Sequence, residues 1–322
     1  MDEVVLGRTG LRVSVACLGA GGHSRLGAGT GKSTEESVAV VKAALDAGVT
    51  MIDTASAYGT EDIVGEALLG RRGQVVISTK ATVAIRGANP PSDITPAMLR
   101  SSVEASLGKL RTDYIDVFHL HAVAASQYGY CVDALVPELD RLRTEGKIRF
   151  FGITERFNSD TTHEMLKRAI QDDVWDVVMV GYNFLNQTAA TSLFPTTRQR
   201  GIATLCMFAV RWGLIDAENA KTLIADLVER GEIDQQDIDP ADPLGFLIEG
   251  DRRIPLTEAA YRFCRYTPGL DVVMTGTGNR KHLEENIAAI SMPPLPDAVE
   301  ETLRKIFRRV TSATGDVATK VS

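Results

Sequence analysis

The chain has 322 residues, 44% of them hydrophobic and 24% charged, and a net charge of −7. That composition supplies a large core and excludes a disordered chain. The acidic balance argues against nucleic acid, which would select a basic face, and no apolar run reaches the ~20 residues that span a bilayer.

In chain order, 11–22 is an apolar stretch closing in glycines and counts as the first strand. The glycines at 19, 21, 22, 27, 29 and 31 suggest a phosphate loop, but the spacing fails both tests. Gly-x-Gly-x-x-Gly needs glycine at Ser24, and Gly-x-x-x-x-Gly-Lys-Ser needs it at Leu26. The stretch 27–32 is expected to be a flexible loop over the site. Thr34 is expected to cap a helix over 34–47 that stops at Gly48. Strand 49–53 precedes a helix near 61–69, then strand 75–80. Pro96 sits in the first turn of a helix ending near Leu110. Strand 114–121, helix 133–144, strand 148–153, helix 160–170, strand 175–180, helix 188–200 and strand 202–207 follow. The eighth strand is 271–275. Repeated βα units imply a parallel sheet, and eight of them close into a (β/α)8 TIM barrel that takes the whole chain as one domain.

One interval breaks the rhythm. More than sixty residues separate the seventh and eighth strands, with helices near 217–230 and 257–266 around an acidic, proline-bearing connection. A long insertion at this face reads as a lid, assigned to 216–250. A helix over 296–310 follows, and 311–322 is expected to be a mobile tail. The start Met1-Asp2-Glu3 lacks the regions of a signal peptide, and the four scattered cysteines form no Cys-x-x-Cys. Both point to a cytoplasmic protein.

Polar residues follow the carboxyl ends of successive strands: Asp53 and Tyr58, then Lys80, then His119 and His121. In an α/β barrel that end is the catalytic face. A tyrosine near a cation favours its phenolate and can exchange protons at neutral pH. Lys80 is the candidate cation, Asp53 would hold it charged and in place, and His121 would donate to a carbonyl oxygen. Asp53 and Lys80 could equally form a structural ion pair at a barrel rim. His119-x-His121 is also a metal pattern, as in a barrel hydrolase. That site would need further ligands on other strands, and His23, His163 and His282 fall in loops or helices. No metal is expected.

"IDTASAYG", "VVISTK", "DYIDVFHLH" and "RFFGIT", with the opening "LGRTGLRVS" and the late "GTGNRKHLEENI", resemble the aldo-keto reductases in order and spacing. The resemblance runs from about Leu6 to Ile290. It implies a barrel plugged by an N-terminal hairpin (4–6 and 11–13). Tyr58 becomes the general acid/base, with Lys80 and Asp53 supporting it and His121, rather than His119, positioning the substrate. It further implies a nicotinamide cofactor held by Gly19, Ala20, Asp53, Thr154, Glu155, Met179, Met207, Phe208, Gly276, Thr277, His282, Glu285 and Asn286. Two positions depart from the family pattern. Glu155 stands where an asparagine is usual and Met179 where a glutamine is usual, and an ionised Glu155 could accept only from the carboxamide NH₂.

Gly276-Thr277-Gly278 offers N–H groups but no fixed charge, and the later basic position is His282. The resemblance implies NADP(H) over NAD(H), and the missing fixed charge makes the expected preference modest. The implied activity interconverts a small-molecule aldehyde or ketone and its alcohol, with no nucleic acid or membrane partner. The alternative is a cofactor-binding regulatory subunit of the same fold with little turnover.

Overall fold

The computed structural model describes residues 1–85, 87–88 and 92–316. Its N-terminal hairpin pairs β1 (Glu3–Val5) with β2 (Arg12–Ser14), Val4 facing Val13. The barrel strands are β3 (Ala16–Gly19), β4 (Met51–Asp53), β5 (Val76–Thr82), β6 (Ile115–Val123), β7 (Ile148–Glu155), β8 (Val177–Gly181), β9 (Ala203–Met207) and β12 (Val272–Thr275). They form a closed parallel barrel, with β12 pairing to both β9 and β3. The short strands β10 (Ile248–Glu249) and β11 (Arg252–Arg253) make a hairpin in the seventh-to-eighth connection.

Two apolar layers hold this shape. Inside the barrel, Leu6, Leu11 and Val13 from the hairpin pack upward against Cys17, Val117 and Val272. Outside it, the other faces of the strands pack on α1 (Thr34–Asp46), α2 (Glu61–Ala67), α3 (Pro96–Leu110), α4 (Tyr128–Tyr130), α5 (Val136–Thr144), α6 (Glu164–Ala169), α7 (Thr188–Ser192) and α8 (Phe194–Arg200). The connection after β9 supplies α9 (Ala217–Glu229) and α10 (Leu256–Arg265). Beyond β12 come α11 (Arg280–Ser291) and α12 (Asp297–Phe307).

Several elements differ from expectation, each for a local reason. The cap of α1 is Ser33, not Thr34: Ser33 Oγ accepts from Glu36 N at 3.2 Å while Glu36 Oε2 accepts from Ser33 N at 2.8 Å, a reciprocal capping box. The single helix expected over 188–200 is two, because Pro195 has no N–H to continue α7. The start of α6 is delayed to Glu164, where the Asp160 carboxylate accepts from the N–H groups of Glu164 and Met165. The helix expected from 133 begins earlier, at Tyr128, and passes through a π-segment (Cys131–Leu135) before α5.

The long insertion is folded against its neighbours. α9 buries Ala220, Leu223, Ile224 and Leu227. Glu232 accepts from the N–H groups of Thr311 and Ser312, and Asp237 pairs with Lys305 and Arg308 beside α12. The β10–β11 hairpin is clipped by Arg262, whose guanidinium is fully buried. It donates to Glu249, Glu258 and the carbonyls of Pro293 and Pro294. Of the tail expected to be mobile, 317–322 lies outside the described residues.

Candidate active site

The carboxyl ends of the barrel strands open into one cleft of about 1570 Å³. Side chains alternate along a strand, so every second residue faces the barrel axis. Counting up from the inner layer (Cys17, Met51, Val76, Val117, Val177, Leu205, Val272), the last inward positions are Gly19, Asp53, Lys80, His121, Thr154, Met179, Met207 and Met274. Sequence-distant residues thus meet at one rim.

Lys80 is the centre of the polar cluster. Its Nζ donates to Asp53 Oδ2 at 2.5 Å and to the Thr54 carbonyl at 2.7 Å, and lies 3.5 Å from Tyr58 Oη. Ser78 Oγ donates to the other Asp53 oxygen at 2.7 Å. Tyr58 follows β4 in a short 3-10 turn (Ser56–Tyr58), and its Oη is 3.4 Å from His121 Nε2. The two rings meet edge-on at 87°. Gly21 lies flat against the tyrosine: a Cβ there would sit 2.6 Å from Tyr58 Cε2, so this position excludes a side chain. Asp53 and Lys80 are buried, whereas Tyr58 and His121 are half-exposed to the cleft.

Burial opposes charge on both members of the pair. For Lys80 it works downward, but Asp53 and then Tyr58 more than offset it, so the ammonium is held above its ordinary range. For Asp53, burial pushes the carboxyl up while Lys80 and Ser78 pull it back, leaving it raised. The pair is charged, because three oxygens surround Nζ and the Asp53 carboxylate accepts two donors. His119 is buried beneath this cluster, with its ring on the backbone of Gly152. Burial, then Lys80 and His121, push it well below its ordinary value, so it is neutral.

Of the expected cofactor residues, Gly19, Asp53, Thr154, Met179, Met207, Phe208, Gly276, Thr277, His282, Glu285 and Asn286 line the cleft. Two depart from expectation, and alternation explains both. Ala20, one residue beyond inward-facing Gly19, is fully buried outside the cleft, its N–H donating to the Asp53 carbonyl. Glu155, one beyond inward-facing Thr154, lines the cleft only with its backbone, because its side chain is 0% exposed. Its Oε1 accepts from Gly181 N at 2.8 Å, and both oxygens face His163 Nδ1 at 3.0 and 2.9 Å. Burial pushes this carboxyl up and His163 opposes it. His163 stacks on Phe157, which stacks on Phe208.

A family model for the aldo/keto reductases matches residues 17–308. The chain belongs to that family. Over 312 residues it is 26% identical to an L-galactose dehydrogenase of Arabidopsis thaliana, covering 94% of this chain and 92% of that one. It is 31% identical over 212 residues to the aldo-keto reductase YhdN of Bacillus subtilis, 60% of each chain. The holo form of the aldo-keto reductase AKR11C1 from Bacillus halodurans superposes with a TM-score of 0.73 over 99% of both chains at 23% identity, a likeness of fold. Membership carries NAD(P)H-dependent carbonyl oxidoreductase chemistry in general.

In this aldo-keto reductase the far end of the cleft holds a residue that sequence reasoning missed. Lys32 Nζ donates to the Gly278 carbonyl at 2.7 Å and lines the cleft. The loop carrying it folds through Leu26 and Gly27, both at positive φ, and lays Gly27 directly on Gly278. A fixed positive charge therefore stands beside the N-terminus of α11, where Gly276, Thr277, Gly278 and Asn279 line the cleft. Backbone N–H groups and a lysine at a helix start suit a phosphate. Only a contact spanning 246 residues of chain puts Lys32 there, so no local pattern marks it. Among the described residues no His/Cys/Asp/Glu group is arranged to hold a metal.

Proposed function

We propose that this chain reduces an aldehyde or ketone with NADPH, or oxidises the alcohol in the reverse direction, with Tyr58 exchanging the proton. The observation that carries this reading is the placement of the Tyr58 hydroxyl between Lys80 Nζ, at 3.5 Å, and His121 Nε2, at 3.4 Å. When bound, the nicotinamide supplies or accepts the hydride. Tyr58 Oη donates its proton to the carbonyl oxygen, and the phenolate left behind faces the Lys80 ammonium. Asp53 and the Thr54 carbonyl fix that ammonium in place. His121 Nε2, sharing the half-exposed rim with Tyr58, orients the same oxygen.

The cofactor's phosphates would lie against Lys32 and the N–H groups of 276–279, with Glu285 and Asn286 at the adenine. Lys32 supports NADP(H) over NAD(H), because a 2′-phosphate is best held by a fixed cation. With the Glu155 side chain turned away, Thr154 and the thioethers of Met179 and Met207 are the inward groups left for the nicotinamide end. All four cysteines are buried free thiols, which suits a cytoplasmic protein.

The test is Tyr58→Phe. NADPH binding, followed by fluorescence, should persist while turnover of an aromatic aldehyde falls by at least ~10². Activity within a few-fold of the parent removes Tyr58 from the role. A parent that binds NADPH but turns over no carbonyl compound is a regulatory subunit instead.

A further inference from the structure

The charges around the cleft do not balance locally. Apart from Glu155, whose side chain is turned away toward His163, each carboxylate lining it has a basic partner: Asp53 has Lys80, Glu258 has Arg252 and Arg262, Glu285 has Lys281, and Asp316 has Arg211. Among the described residues, the lysines and arginines lining the cleft are Lys32, Arg156 and Arg211, and neither Lys32 nor Arg156 faces a carboxylate. Lys32 stands at the phosphate end. Arg156 stands at the opposite end, where a cofactor has no phosphate to offer.

Its position is built. β6 slips register against β7 between Leu120 and Val123, and Ala122 takes φ +54. Both polar backbone atoms of Ala122 are then caught by the end of β7: its N–H donates to Thr154 Oγ1 at 2.7 Å, and its carbonyl accepts from Arg156 Nε at 2.8 Å. Ala122 directly follows His121. The Nε bond therefore anchors the guanidinium beside the substrate-orienting histidine, and among the described residues both terminal nitrogens are left for a ligand.

We propose that the carbonyl substrate carries a carboxylate, and that Arg156 is the residue that recognises it. The inference rests on the reductase reading and names its substrate class. A guanidinium presenting two donors matches the two oxygens of a carboxylate, and such charge-assisted pairs are the stronger hydrogen bonds. The carbonyl end lies at Tyr58 and His121, and the acid end points to the mouth. Arg211 stands at that mouth too, already holding Asp316 and Asn158, and serves the C-terminal segment rather than the substrate.

The experiment compares matched pairs with the full chain and NADPH: 4-carboxybenzaldehyde against its methyl ester, and succinic semialdehyde against butyraldehyde. The readout is the ratio of kcat/KM, acid over neutral, which cancels any general loss of folded enzyme. A ratio of about ten or more is expected in at least one pair, since a charged hydrogen bond is worth about ten- to a hundredfold. It should fall toward one in Arg156→Gln and recover in part in Arg156→Lys. Turnover of the neutral aldehydes with a ratio near one, or a ratio that Arg156→Gln leaves unchanged, overturns this inference and spares the reductase reading. No turnover of any of the four compounds overturns the reductase reading and the inference with it.

Discussion

Replacing Lys80 with methionine separates the stabilising part of the buried pair from its chemical part. The ammonium is fully buried and Asp53 is 1% exposed, so the variant leaves a carboxylate with Ser78 Oγ as its remaining side-chain donor. Removing one partner of a buried pair costs about 3–5 kcal/mol, chiefly from the charge left behind. Burial already pushes the Asp53 carboxyl up, and without the lysine it rises further. An acid whose folded pKa lies above its unfolded value gains stability by binding a proton. The deficit should therefore be largest near pH 8 and narrow as pH falls toward the raised value. Adding Asp53→Asn removes the charge and keeps an acceptor for Ser78, so the double variant should return to within about 1–2 kcal/mol of the parent. Turnover should not return, because neither variant offers a cation to the tyrosine. Urea midpoints followed by tryptophan fluorescence at pH 6 and 8, beside kcat/KM from NADPH absorbance, read both quantities. A single variant within about 1 kcal/mol of the parent at pH 8, or a double variant no more stable than the single, refutes the argument.

Lys32→Met should weaken NADPH by about ten- to a hundredfold and NADH by much less. Equal losses measured by fluorescence titration would move Lys32 to the pyrophosphate. The 216–250 segment lines none of the cleft among the described residues, yet it lies beside the cleft-lining Ile215. Limited proteolysis should slow within it when NADPH is added if it acts as a lid, and equal cleavage makes it an outer wall. The clip on the β10–β11 hairpin is acid-sensitive: Arg262, then Arg252, hold Glu249 down to about 2. A depressed carboxyl contributes stability above its ordinary value, and that contribution is lost as pH falls through about 2. Glu249→Gln should accordingly flatten the decline of the melting temperature below about pH 4.5, and identical slopes would dismiss the clip.

Much of the candidate site's placement was legible because the barrel writes it at strand ends. An apolar run broken by Asp53, another by Lys80 and a third by His121 announces both the strand and the polar rim above it. Tyr58 needed only the turn after Asp53. The side chains that turn away are marked by parity. Within Gly152-Ile153-Thr154-Glu155 the period of two that turns Thr154 inward sends Glu155 outward, and the same count removes Ala20. The sequence places His163 in a loop or helix, and it meets Glu155 from a left-handed backbone at φ +65 that no sequence pattern marks. Lys32 and Arg156 were invisible for another reason. Each is defined by which carboxylates are absent around it, and that is known only once every chain neighbour is in place.

The thioethers of Met179, Met207 and Met274 close the top of the barrel's inner layer and also form the floor of the cleft. They come from three strands, β8, β9 and β12, none of which carries Asp53, Lys80 or His121. An unbranched side chain with three rotatable bonds moulds to what lies against it, and exchange with leucine costs less than about 1.5 kcal/mol. The half of the rim proposed for proton chemistry is tied together by buried hydrogen bonds, whereas the half floored by these methionines is pliable. Directed evolution toward new substrates has an open route here: the floor can be reshaped residue by residue while Asp53, Tyr58, Lys80, His121 and the fold stay as they are.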